Sequence, residues 1–268
     1  MTAPAPTLEV EAALARRIGH GPRIVVGVDE VGRGALAGPV AVGACALLLE
    51  DGREPVLPEG VRDSKKLTAK RREALIEPLR EAAHASAVGW ASPAEIDEIG
   101  ILPALTCAAV RALTALDVEI DAILLDGDVD VLTPALVSAA PGTGRPVPQV
   151  ELRVSADRDC ASVAAASILA KVARDARMVE LDALAPDYGW ASNKGYGSAK
   201  HREAIDRLGA HEHHRRSWRL GSAPKPERTP APVPPAPPDT SRESAAAPAL
   251  PGVLWDDQWH PQDRKERP

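Results

Sequence analysis

Two apolar runs near the start of the chain constrain its fold most. They are Arg23-Ile-Val-Val-Gly-Val-Asp29 and Pro39-Val-Ala-Val-Gly-Ala-Cys-Ala-Leu-Leu-Leu49. Joined by a short Gly-containing connection, they read as neighbouring strands of a partly antiparallel sheet. Downstream, Thr68 is placed to cap a helix over 69–85 and Ser92 a short one over 93–99, followed by a helix over 103–116. Asp121–Asp126 reads as a buried strand ending in a carboxylate, and Val150–Val154 as another. The strongest helical pattern covers 160–185, and a basic helix covers 199–208. Residues 130–149, centred on Pro-Gly-Thr-Gly-Arg-Pro, read as an irregular surface insertion. Strands mixed with helices place an α/β domain over 23–220, preceded by a loose lead-in with a short helical pattern over 1–22.

Composition changes after residue 221. The stretch 221–251 holds ten prolines among many alanines. It offers little apolar surface to offset the entropy of ordering, so 221–268 is expected to be a disordered tail. Trp255 and Trp259 near its end fit either a short docking peptide of unknown partner or a plain unstructured end. The formal net charge of −6 argues against coating nucleic acid by bulk positive charge. Cys45, Cys107 and Cys160 show no paired spacing, which suits a reducing compartment. With no signal-peptide pattern and no run of roughly 18 apolar residues, the expectation is a cytoplasmic, monomeric protein without a membrane span.

Several carboxylates fall where α/β folds bind ligands. Asp29-Glu30 ends the first apolar run, and Gly32 and Gly34 follow it. Successive strand residues face opposite ways, so both acids reach one site only if the strand ends or bulges there. Asp126 closes its own apolar run, and Asp157 precedes the long helix, where Asp159 competes for the same place. Singly, these are a surface pair, a turn Asp-Gly and a helix N-terminal charge. Together they are oxygen ligands suited to Mg2+ or Mn2+, and no HExxH or Cys/His cluster offers a zinc alternative. Two basic segments break the acidic background. Residues 62–72 carry six basic residues against one acid, and residues 194–219 carry seven against three plus four histidines. Either is a solvated face or a polyanion contact. Asn193–Ser198 places Tyr196 between two glycines, a poor position for core packing and a good one for stacking on a sugar or base. His211, His213 and His214 read as exposed and near phosphate.

These segments, in this order, resemble bacterial type 2 ribonucleases H, the ribonuclease HII family. The resemblance rests on Val28-Asp-Glu-Val-Gly-Arg-Gly34, Asp63-Ser-Lys-Lys-Leu67, Leu125-Asp-Gly127, Ala164–Val172, Lys194-Gly-Tyr-Gly197 and His213-His-Arg-Arg-Ser-Trp218, and spans about 23–220. It implies a ribonuclease H-like fold, a mixed central sheet flanked by helices with a C-terminal helical segment. It implies two divalent ions held by Asp29, Glu30, Asp126 and Asp157, the last chosen by its distance to Ser167 although Ser155-Ala156 stands where the family often has Lys-Gly. It implies that Gly32, Arg33 and Gly34 read the ribose 2′-hydroxyl through backbone groups, and that Tyr196 stacks on the following sugar. Ser64, Lys65, Lys66, Lys194, His213 and Arg215 complete the implied substrate contacts. The implied substrates are RNA–DNA hybrids and DNA duplexes containing ribonucleotides, cut 5′ to the ribonucleotide.

Overall fold

A computed structural model describes residues 5–50, 53–62, 64–140 and 146–221. The expected tail, with Trp255 and Trp259, lies outside the described residues beyond 221, as do Asp63 and the Pro-Gly-Thr-Gly-Arg segment of the expected insertion.

The order of elements is α1 (Glu9–Ile18), β1 (Arg23–Val31), β2 (Val40–Leu49), α2 (Ala69–Ala82), β3 (Ala85–Ala91), α3 (Pro93–Ile99), α4 (Ile101–Ala115), β4 (Ala122–Asp126), α5 (Thr133–Ala139), β5 (Gln149–Arg153), α6 (Ala156–Asp159), α7 (Ala161–Leu184), α8 (Trp190–Asn193) and α9 (Ala199–Leu208). One five-stranded mixed sheet runs β3-β2-β1-β4-β5. The β3-β2-β1 half is antiparallel, and β4 and β5 run parallel to β1.

Alternation sorts β1 onto two layers. Val26 and Val28 face α3 and α4, in a core with Val42, Ala44, Ile96, Ala108 and Leu113. Val25 faces the other way, toward Leu14 of α1 and Val163 of α7. Helix α7 lies very close on that face. A Cβ on Gly27 would sit 2.2 Å from the Ser162 carbonyl carbon, and one on Gly43 2.2 Å from the Ala166 oxygen. The small residues Ala161–Ser167 and these two glycines let helix and sheet backbones meet, which holds Ser167 against the end of β1.

Residues read as a loose lead-in are packed. Leu14 is fully buried, and Glu11, also buried, accepts hydrogen bonds from the Ser162 backbone N–H (2.8 Å) and hydroxyl (2.7 Å). A carboxylate from α1 thus supplies the N-terminal charge that α7 lacks in its own first turn. Two further readings are corrected. The helix expected to reach residue 85 ends at Ala82, and Ala85–Ala91 becomes an edge strand on β2. The 130–149 stretch is not wholly irregular. Asp130 accepts from the Leu132 and Thr133 N–H groups and starts α5, on which the partly buried Leu136 packs against the core. The capping expectations hold: Thr68 accepts from Arg71 N–H, and Ser92 and Glu95 form a reciprocal capping box.

Candidate active site

The site gathers at the carboxyl ends of β1 and β4. The parallel register pairs Val28 with Leu125, so the next step places Asp29 beside Asp126. Strand β1 neither ends nor bulges at Asp29. It pairs continuously with β2 through Val31 and Ala41. Asp29 and Glu30 therefore lie on opposite faces of the sheet. Asp29 turns toward α7, where it accepts a hydrogen bond from the Ser167 hydroxyl. Glu30 lines a cleft on the α4 side with Val28, Val42, Leu105 and Asp126. Asp126 sits between the two faces, and its charge acts on both neighbours. The expected convergence is reached through a third carboxylate, not through a distorted strand.

Asp126 is itself anchored, since its Oδ1 accepts from the Ala156 N–H at 2.7 Å. That bond ties the end of β4 to α6, which carries Asp157. Ser155, in the left-handed region at φ 60°, makes the turn between β5 and α6. Asp157 is buried at 3% exposure, within charge range of Asp29 and 3.9 Å from Lys65 Nζ. Asp159 faces outward and pairs with Arg153 at 3.0 Å. The geometry thus draws Asp157 into the cluster and leaves Asp159 on the surface.

Burial pushes the Asp29 carboxyl up to about 7, opposed by the Ser167 hydrogen bond and reinforced by the charges of Asp126, Glu30 and Asp157. Burial also raises Glu30, with Arg33 beside it at 3.8 Å opposing. An oxygen-only donor set, partly desolvated and short of counter-charge, fits hard divalent cations. Asp29, Glu30, Asp126 and Asp157 are the residues that would hold them. Among the described residues, the trio with ligand atoms within 4.8 Å of one another is His211, Glu212 and His213. Those two histidine rings pack against Trp190, which accounts for their proximity. Carboxylates shared between two ions about 3.5–4 Å apart need not converge on one point.

The candidate substrate contacts separate into two groups. Arg33, Gly34, Lys65, Lys66 and Tyr196 are exposed, and Lys65 and Arg33 stand next to the carboxylates. Ser64 is buried and bonds Ser167 through the hydroxyls at 2.9 Å, so it acts beneath Asp29 and not on the surface. Lys194 turns its ammonium back to the Ala191 carbonyl. His213 is half-buried, and its carbonyl accepts from the Gly38 N–H at 2.8 Å. His214 corrects the expectation of exposure. It is fully buried, its Nε2 is 3.1 Å from His201 Nε2, and burial lowers its pKa to about 4. Arg215 is fully buried as well and binds only backbone carbonyls and the Trp218 ring.

Two residues that had no role in the sequence reading, Ser167 having served there only as a landmark for Asp157, are prominent. Ser167 links Asp29 to Ser64. Arg174, fully buried on α7, binds the carbonyls of Pro39, Lys194 and Ala37 and lies 5.5 Å from the Tyr196 ring. A signal existed for Arg174: it interrupts the buried stripe Ala170, Met178, Leu181 at helical spacing, where a charge needs partners.

Comparison with known proteins shows the family and the fold. The family model described as Ribonuclease HII matches residues 26–220. A curated relative from Streptomyces avermitilis, named Ribonuclease HII, is 46% identical over 213 residues, covering 80% of this chain and 83% of its own. The crystal structure of ribonuclease H2 from Pyrococcus horikoshii OT3 superposes with a TM-score of 0.57 at 28% identity, covering 74% of this chain and 94% of that one. The Archaeoglobus fulgidus RNase HII, solved as a complex with PCNA, gives 0.58 at 29% identity over 75% of this chain and 98% of that one. Among the described residues no helix is long and apolar enough to cross a membrane.

Proposed function

The chain belongs to the ribonuclease HII family, endonucleases of the ribonuclease H class, and from that premise we propose that it cuts the RNA strand of RNA–DNA hybrids and cleaves on the 5′ side of single ribonucleotides embedded in duplex DNA. The ends produced are a 3′-hydroxyl and a 5′-phosphate, and the roles served are ribonucleotide removal and RNA-primer removal. The observation that carries this reading is the position of the exposed Arg33-Gly34 turn directly after the buried Asp29 and its three carboxylate neighbours. Hydrolytic chemistry and a backbone able to approach a ribose closely are adjacent.

Asp29, Glu30, Asp126 and Asp157 would hold two divalent ions, Mg2+ or Mn2+. When bound, such ions activate water and neutralise charge on the departing 3′-oxygen. The rest is done by the chain. Ser167 fixes the rotamer of Asp29, and Ser64 orients Ser167 in turn. The Ala156 N–H fixes Asp126. Lys65 beside Asp157, with Lys66 next to it, supplies positive potential for the backbone phosphates. Arg33, beside Glu30, lies at the mouth of the cleft. Tyr196 offers an exposed ring face for a sugar or base. The catalytic unit is 23–220 together with α1, which packs onto it.

Cleavage-site mapping on a duplex with one ribonucleotide, beside an all-DNA duplex of the same sequence, tests the reading. The expected result is one metal-dependent cut 5′ to the ribonucleotide and none in the all-DNA duplex. Equal cutting of both would assign the site to a DNA nuclease of the same fold.

A further inference from the structure

The loop 32–39 leaves the catalytic strand and bends back into β2. Two arginines from distant parts of the chain lie beneath it. Arg215 Nη2 donates to the Gly32 carbonyl (2.7 Å) and the Gly38 carbonyl (3.2 Å), and its Nη1 to the Arg33 carbonyl (2.7 Å). Arg174 takes Pro39 through Nε (2.9 Å) and Ala37 through Nη2 (3.3 Å), while its Nη1 reaches the Lys194 carbonyl (2.9 Å) of the loop that carries Tyr196. Both side chains are fully buried. Gly32, at φ 88°, is seated on Arg174, since a Cβ there would lie 2.0 Å from its Nε. No carboxylate pairs with either guanidinium among the described residues, so carbonyl oxygens carry the whole of their hydrogen bonding.

This has a directional consequence. A trans peptide points its N–H opposite its C=O. The carbonyls of Gly32 and Arg33 point down onto Arg215, so the N–H groups of Arg33 and Gly34 point away from it, on the exposed side of the loop. Neither N–H has a protein acceptor among the described residues. Two adjacent outward N–H groups form a concavity that takes an oxygen acceptor. The neighbouring N–H groups of Leu36, Ala37 and Gly38 are already spent on the Gly195 and His213 carbonyls. The same Arg174 faces the Tyr196 ring and holds the start of its loop.

We propose that Arg174 and Arg215 are positioning residues for ribose selection: by drawing the loop's carbonyls inward they present the Arg33 and Gly34 amides to the 2′-hydroxyl oxygen, and Arg174 holds Tyr196 in register with them. The 2′-hydroxyl is read as an acceptor by this pair. The assignment rests on the substrate reading given above. It explains why arginine stands at both positions. A lysine ammonium is a point charge and cannot span three carbonyls of one loop as a planar fork does.

The test is binding of two probes, a DNA duplex with one ribonucleotide and its all-deoxy counterpart, by full-length protein made cleavage-deficient with Asp29→Asn. Arg215→Lys and Gly34→Pro are each added to that background. Gly34→Pro deletes one outward N–H at an exposed position and leaves both arginines untouched. For both, the ratio of the two affinities is expected to fall by about tenfold, the weight of one well-made hydrogen bond to a buried or oriented group. Affinity for the all-deoxy duplex should stay within about twofold. If Arg215→Lys does not fold, Arg174→Lys in the same background takes its place with the same expectation, since its guanidinium holds the Ala37, Pro39 and Lys194 carbonyls. A folded variant of either kind with the parent's affinity ratio overturns the proposal, as does a uniform loss on both probes, which is the signature of a structural role. A parent protein that binds both probes equally fails earlier, at the substrate reading itself.

Discussion

Asp29 with its carboxylate neighbours and the Arg174–Arg215 pair are both clusters of like charge in poorly solvated places, yet the fold treats them oppositely. Every nitrogen of both guanidinium groups donates to a carbonyl oxygen, at 2.7–3.3 Å, so the cations are well held without any ligand. Asp29 has the Ser167 hydroxyl on one side and three carboxylates around it. Its charge is opposed by burial and by every acidic neighbour. The arginine layer is a finished frame, and the carboxylate layer keeps an excess of negative charge that the proposed divalent ions would neutralise. A chain that brings both against one short stretch, 29–39, from distant positions is shaped by what it must bind as well as by its own stability.

Replacing Asp29 by Asn gives the largest separation of the two layers. Cleavage of a single-ribonucleotide duplex is expected to fall well beyond the roughly 10–100-fold typical of a group that only supports a metal ligand. In chelator, the same variant should melt a few degrees above the parent at pH 8, because an unfavourable buried charge is gone. The pH dependence carries the sign. The folded carboxyl, raised to about 7, holds its proton longer than the unfolded one near 3.8, so its contribution is present below about 4 and is lost as pH rises through 7. Metal-free parent protein should lose stability over that window, and Asp29→Asn should lose less. A lower melting temperature for Asp29→Asn in chelator would break the comparison.

Arg174→Met removes one cation of the complete layer and should shift stability the other way. Carbonyls of Ala37, Pro39 and Lys194 lose their donors in a dry place, and a loss of about 3 kcal/mol or more in denaturant titration is expected. A variant as stable as the parent would mean that the frame is not a frame. Ser167→Ala is smaller. It deletes the one donor to Asp29 and the partner of Ser64, and kcat should fall roughly 10–100-fold with KM little changed. Lys65→Ala is smallest for the fold. The side chain is exposed, so melting should move by less than about 0.5 kcal/mol equivalent, while the salt slope of hybrid binding should drop by about one.

Much of this layout was legible in residues 23–220. Val- and Ala-rich runs announced β1 and β2, and the helical pattern over 160–185 announced α7, while its close approach to the sheet emerged only from the fold. Edge strand β3 was not legible, because Ala85-Ser-Ala-Val-Gly-Trp-Ala91 is mostly small residues and its strand character comes from pairing with β2. Helix α5 was hidden by the turn-forming residues around it. At the site, the identities of Asp29, Glu30, Asp126 and Asp157 followed from motif order. Their arrangement did not: convergence of Asp29 and Glu30 was expected from a strand that ends or bulges there, whereas β1 pairs on through Val31 and the parallel register of β4 brings Asp126 beside them. The histidines misled because polarity was taken for exposure. His201 donates from Nδ1 to the Tyr196 carbonyl, so its Nε2 accepts from Trp190 and meets His214, a network no linear reading contains.

The activity proposed for this carboxylate cluster is cleavage at a ribonucleotide and nowhere else in duplex DNA. Mapping the products of a duplex with one embedded ribonucleotide, with Mg2+ or Mn2+ added to chelator-treated protein, tests it most directly. A single 3′-hydroxyl/5′-phosphate break on the 5′ side of the ribonucleotide is expected, absent without metal and absent with Asp29→Asn. Cleavage that persists in Asp29→Asn, or that falls equally on the all-deoxy duplex, would contradict it.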